Sequence, residues 1–125
     1  MNRIKLPNSV TRIDNWGLAG CWITSIVIPD SVTYIGQNAF CEDYELKSVK
    51  IGKKVKTIDA YAFYDCDNLK SIYIPKNVKK IGSRAFGFCG DEGVFKSKNF
   101  QIKGVSGTPA QKYAKKYKFK FKAVK

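Results

Sequence analysis

One phrase, repeated at a fixed step, sets what this chain can fold into. Ile26, Ile28, Pro29, Val32, Ile35, Ala39 and Phe40 return 23 residues later as Val49, Ile51, Gly52, Val55, Ile58, Ala62 and Phe63. They return after a further 23 as Ile72, Ile74, Pro75, Val78, Ile81, Ala85 and Phe86. An earlier copy, Ile4, Leu6, Pro7, Val10, Ile13, Gly17 and Leu18, is offset by 22 because one residue is missing between Cys21 and Ile23. A period of this size means stacked coils, each too small to bury its apolar face without its neighbours.

The spacing inside a copy says what each coil does. Alternation, as in Ile26-Val27-Ile28 or Ile72-Tyr73-Ile74, predicts a short strand with one face buried, ended by the proline that follows. The apolar step of three from Val32 to Ile35 and from Val78 to Ile81 predicts a second inward-facing segment around a bend. Gly36 and Gly82 are expected to supply a backbone conformation that other residues resist. The Ala-Phe pair then reads as an aromatic wedge beside a small residue, which would pile Phe40, Phe63 and Phe86 in one column.

The phrase made by Leu69, Ser71, Ile72, Ile74, Pro75, Val78, Ile81, Gly82, Ala85, Phe86 and Cys89 resembles the BspA-like class of leucine-rich repeats, found in surface and secreted proteins. That resemblance implies a leucine-rich-repeat solenoid of β-strand-rich coils of about 23 residues, closed by a C-terminal helix plus strand. Four repeats would occupy residues 1–92 and a capping element residues 93–125. Three departures stand out: Gly52 replaces the proline, Asp43 sits where the repeat expects cysteine, and Gly17-Leu18 stands for Ala-Phe.

The tail supports a terminator. Thr108-Pro109-Ala110-Gln111 combines a capping threonine, proline at the first helical position and glutamine three residues after the cap. The spacing predicts a helix to about Tyr117 with Ala110, Tyr113, Ala114 and Tyr117 on one side. Phe119, Phe121 and Ala123 alternate with lysines as a final strand. The start has no comparable lid before Ile4. Either the chain is the C-terminal part of a longer array, or its open end pairs edge to edge with another molecule, self-association included. Nothing before Leu6 resembles a signal peptide, and the apolar stretch Leu18 to Ile28 is too short to span a membrane.

Chemistry-bearing residues are sparse. The chain has no histidine, which removes the commonest general base and metal ligand, so no enzyme activity and no cofactor or metal site is expected. Of four cysteines, Cys21, Cys66 and Cys89 share one place in their coils and read as a buried thiol column. Cys41 is out of register and reads as solvent-facing, with a Cys41–Cys66 disulfide left open. The carboxylates Glu42, Asp43, Glu45, Asp65, Asp67, Asp91 and Glu92 fall at one turn of the repeat and read as solvated loop residues.

Charge is the remaining signal. There are 23 Lys and Arg against 10 Asp and Glu, and no acidic residue follows Glu92. Lys112, Lys115, Lys116, Lys118, Lys120, Lys122 and Lys125 make the tail cationic, while Lys50, Lys53, Lys54 and Lys56 recur in part as Lys76, Lys79 and Lys80. The leading expectation is a noncatalytic protein-recognition module, and the resemblance implies a cell-surface or secreted adhesin meeting host or extracellular-matrix proteins. Its contact row would be the outward strand positions Thr24, Val27, Lys47, Lys50, Lys70 and Tyr73. The alternative is a polyanion binder for glycosaminoglycan, anionic cell-wall polymer or nucleic acid through the lysine-rich faces. Against nucleic acid, arginine occurs only at Arg3, Arg12 and Arg84.

Overall fold

Each copy of the phrase makes two short strands on either side of a bend, and strands of successive copies line up in parallel. The computed structural model describes residues 3–90, 95–97 and 99–124. On one side run β1 (Arg3–Lys5), β3 (Ser25–Val27), β5 (Ser48–Lys50) and β7 (Ser71–Ile74). On another, β2 (Arg12–Ile13), β4 (Tyr34–Ile35), β6 (Thr57–Ile58) and β8 (Lys80–Ile81) form one four-stranded parallel sheet. The register is the repeat itself: Ile4 lies opposite Ile26 and Ile26 opposite Val49, while Ile13, Ile35, Ile58 and Ile81 align in sequence.

That register stacks like on like in the core. Ile26, Val32, Ile35, Ala39 and Phe40 are buried, as are their copies Ile72, Val78, Ala85 and Phe86 two coils on. The rings of Phe40 and Phe63 stack with centroids 4.7 Å apart and planes 8° apart, and Phe63 stacks on Phe86 at 5.0 Å and 16°. Nearly parallel rings at this spacing are in contact from coil to coil and add attraction beyond burial.

The glycines act differently from the sequence expectation. Gly36 and Gly82 do not adopt left-handed backbone; that conformation falls two residues later in each coil, at Trp16, Asn38, Tyr61 and Arg84, with φ of 63°, 57°, 59° and 50°. What requires glycine is close approach. A Cβ on Gly36 would lie 2.6 Å from the Asn15 backbone nitrogen, and one on Gly82 would lie 2.4 Å from that of Ala60. In the other two coils the same position is Asp14 and Asp59.

Beyond Phe86 the period lengthens. β9 (Phe88–Cys89) pairs antiparallel with β10 (Phe95–Lys96), after which β11 (Gln101–Gly104) rejoins the first side of the solenoid in parallel with β7. Ile102 sits opposite Ile72, a step of 30 residues, so the β9–β10 excursion lengthens this coil while its strand register is kept. β12 (Lys120–Ala123) then adds in parallel to β11. The boundary drawn between residues 92 and 93 lies outside the described residues.

Between β11 and β12 runs the expected helix, α1 (Pro109–Tyr117), which buries Ala110, Tyr113 and Ala114. Its start differs from the expected cap. The Thr108 hydroxyl donates to the Val105 carbonyl at 2.6 Å, and the Gln111 side chain accepts the Gly107 N–H at 2.8 Å. Proline at the first position therefore carries the start signal, since it needs no partner for an N–H it lacks. The Tyr113 ring meets Phe86 edge-on at 5.8 Å, and its hydroxyl donates to the Phe86 carbonyl at 2.6 Å and accepts the Phe86 N–H at 2.8 Å. The helix thus closes the aromatic column and satisfies the backbone groups that the last coil would leave bare.

Replacing Phe63 with Ala is expected to cost about 3–5 kcal/mol, read from urea unfolding at fixed pH. A midpoint near wild type would show that the column is not a main support. Gly82→Ala is expected to cost about 1–3 kcal/mol by the same measurement, because the atom its Cβ would strike is backbone.

Candidate functional site

Pleating sends alternate residues of β3, β5 and β7 outward, and the ladders set those residues in rows. Lys5 lies opposite Val27 and Val27 opposite Lys50; Tyr73 lies opposite Lys103 and Lys103 opposite Lys122. Val27 is 58% exposed and Tyr73 40%, so two apolar side chains stand clear of the surface among lysines. The row divides between β5 and β7, which belong to separate hydrogen-bonded sheets.

The six expected contact residues fall in two places. Val27, Lys50 and Tyr73 lie on the outward row, with Val27 and Lys50 as direct ladder partners. Thr24, Lys47 and Lys70 lie just ahead of the strands, where the Lys47 N–H donates to the Thr24 carbonyl at 2.8 Å. Thr24 is half-buried, and Lys70 turns its ammonium back to the Asp67 carbonyl at 3.1 Å. Sequence reasoning missed Lys5, Lys103 and Lys122 on the same row. Lys5 was within reach, one place after Ile4 as Val27 is after Ile26, whereas Lys103 is hidden by the 30-residue step.

A groove of about 1040 Å³ opens along β1, β3 and β5, lined by Lys5, Leu6, Ser25, Val27, Lys50 and Lys54 among others. Among its lining groups Asp30 is the acidic one, and it holds the Lys53 N–H at 2.9 Å and the Lys53 ammonium at 3.9 Å. Lys5, Lys50 and Lys54 make no ion pair among the described residues. Strands held in parallel ladders, exposed apolar side chains and cations without ion pairs suit recognition of an extended partner without large ordering cost. Trp16 and Trp22 are exposed on the turns of the first coil, outside these rows.

The turn opposite corrects two sequence expectations. Cys41 is buried, while Cys21 and Cys89 of the supposed buried column are only half-buried; Cys66 is buried and donates to the Phe40 carbonyl at 3.2 Å. All four thiols are free, and burial is the leading cause that raises each of their pKa values. Asp43 is not a solvated loop residue. It is wholly buried in the cysteine's place, where one carboxylate oxygen accepts the Cys21 N–H at 2.7 Å and the other has no partner among the described residues. Burial lifts its pKa to about 6, against the opposing pull of the Cys21 and Gly20 amides. Glu42, Glu45 and Asp67 are exposed, Asp65 accepts the Gly90 N–H at 2.9 Å, and Asp91, Glu92 and Lys125 lie outside the described residues.

Parallel coils with an inward aromatic column and an outward strand face define a leucine-rich-repeat solenoid. The BspA type leucine rich repeat region matches residues 1–102 in six copies, and the chain belongs to that family. Leucine-rich repeats are protein-recognition repeats, generally noncatalytic. A leucine-rich repeat protein from Bacteroides capillosus is similar at 31% identity and a TM-score of 0.63, over 70% of this chain and 74% of that one. A leucine rich cell surface protein from Faecalibacterium prausnitzii shares 25% identity at a TM-score of 0.69, over 91% of this chain. The match spans about a third of that protein's length, 34%. The leucine-rich repeat protein of T. pallidum, at 18% identity and a TM-score of 0.60 over 98% of this chain and 86% of that one, shares the fold. No curated protein matches the sequence. Among the described residues no helix is long and apolar enough to cross a membrane.

Buried Asp43 gives the fold a pH signature. Its folded pKa of about 6 lies above the ordinary 3.8, so the native state holds the proton more tightly and stability falls as pH rises from about 4 to 6. That contribution amounts to about 1.4 kcal/mol per pH unit at most. Asp43→Asn keeps an acceptor for the Cys21 N–H and is expected to flatten this part of the slope, read from urea midpoints at several pH values. Equal slopes in the two proteins would remove Asp43 as the cause.

Proposed function

We propose that this chain is a noncatalytic protein-recognition module of a cell-surface or secreted protein, meeting host or extracellular-matrix proteins through its outward strand face. The carrying observation is the placement of exposed Val27 in register with Lys5 and Lys50, and of exposed Tyr73 in register with Lys103. Apolar anchors in a field of cations fit an interface in which a few side chains dominate affinity and the charges speed encounter. Thr24, Lys47 and Lys70 border the row and would complete the contact. The lysine stems add apolar contact while their ammonium groups remain in water. The surface location rests on the family and on the similarity to the Faecalibacterium cell surface protein.

Binding of the whole chain to immobilised fibronectin-like matrix proteins tests this reading. Val27→Ser and Tyr73→Ala are each expected to weaken binding by about 1 kcal/mol or more, with the loss persisting at high salt. Lys50→Ala should act mainly on the association rate at low salt. Binding that is indifferent to Val27 and Tyr73 would overturn the assignment of this face.

A further inference from the structure

We infer that a second groove, between β8 and α1, binds a linear anionic glycan carrying sulfate or carboxylate groups. This site lies on the other sheet from the strand face and does not depend on the function proposed for that face. Two lysine groups that are distant in sequence meet here. Lys79 and Lys80 of the fourth coil and Lys112 and Lys116 of the helix line one cavity of about 320 Å³. None of the four makes an ion pair among the described residues, and no carboxylate lines the cavity. Four unneutralised cations around one concavity raise the local concentration of an anion well above that near an isolated lysine.

Neutral donors sit in the same place. The N–H groups of Lys80 and Gly82 point to β6, bonding the carbonyls of Lys56 and Ile58 at 3.1 and 2.8 Å. Strand alternation therefore turns the Ile81 amide to the open edge, the side on which the groove lies. The Tyr117 hydroxyl accepts the Arg84 N–H at 3.3 Å, which leaves its own proton to donate, and Ser83 adds a second hydroxyl to the lining. The cationic track also continues along the solenoid, since Lys56 precedes Lys79 by one coil and accepts its N–H at 2.8 Å. A polymer with charges at regular intervals can cross these rungs and meet a lysine at each.

The lining favours sugar over nucleic acid and over acidic protein. Base stacking needs an open ring face, but Tyr113 is buried and Tyr117 packs on Phe88 at 5.1 Å and on Tyr113 at 4.8 Å. The cations lining the groove are lysines, point charges without arginine's two-pronged match to phosphate. A protein partner would seek an exposed apolar anchor, and the apolar lining residues here, Ile81 and Tyr113, are half-buried and buried.

Binding of the whole chain to size-defined heparin oligosaccharides and to hyaluronan oligosaccharides, measured by titration calorimetry, tests the inference and separates sulfate from carboxylate. The combined variant Lys79→Ala, Lys112→Ala, Lys116→Ala is expected to bind its glycan about tenfold or more weakly, with a shallower salt dependence. The variant Lys50→Ala, Lys103→Ala, Lys122→Ala, with the same loss of charge on the strand face, is expected to keep wild-type affinity. Circular dichroism confirms that both remain folded; if either does not, single Lys112→Glu replaces the groove variant and single Lys50→Glu the strand-face variant. Equal losses in the two variants would show attraction by net charge alone and overturn the site. Absence of binding to both glycans, or tighter binding of single-stranded DNA or polyglutamate at matched charge, would overturn it as well.

Discussion

Everything in this fold rests on contact between one coil and the next. A single coil has two strands of two to four residues and a handful of apolar side chains, far too little to offset its loss of conformational freedom. Only the coils above and below supply partners, both for the backbone through parallel ladders and for the side chains through rows such as Phe40, Phe63 and Phe86. The array must therefore be finished at its end. Here α1 does so by continuing the aromatic column with Tyr113 and by capping the Phe86 amide and carbonyl with one hydroxyl.

Much of this was legible because the repeat is itself the register. Once Ile26, Val49 and Ile72 are seen as one position, the strands, the buried rows and the phenylalanine column follow. The helix was legible too, since Pro109 and the Tyr113–Tyr117 stripe carry local signals. What escaped depends on distances between coils. The need for glycine at 36 and 82 comes from backbone approach across a coil boundary, which no property of the local sequence reports. The burial of Cys41 and Asp43 was misread for a related reason. In the second coil the turn carries cysteine directly after phenylalanine and a carboxylate in the usual cysteine place, and only the packed turn reveals that both point inward. At the site, Val27, Lys50 and Tyr73 were found by alternation, but Lys103 and Lys122 were not, because the β9–β10 excursion breaks the period while leaving the ladder intact.

The two surfaces differ in physical character. The strand face is a broad platform where apolar groups stand out among cations, and its rows arise from the pleat. The groove beside α1 is smaller, about 320 Å³, and has no exposed apolar anchor among its lining residues, and it exists only because the closing helix returns over the fourth coil. A solenoid thus gains a feature at its terminus that none of its regular rungs can build.

The glycine pattern implies a rule for how such an array can change length. Reading up the stack, the position after the second strand is Asp14, Gly36, Asp59, Gly82, so at this position close backbone approach alternates with ordinary spacing. Excising the second coil alone would set Asp59 where Gly36 stands, above Asp14 and Asn15, at a place where a Cβ would lie 2.6 Å from the Asn15 backbone nitrogen. Excising two adjacent coils would preserve the alternation. At this seam the repeating unit is therefore a pair of turns, and recombination that trims or extends the array by couples keeps the seam matched.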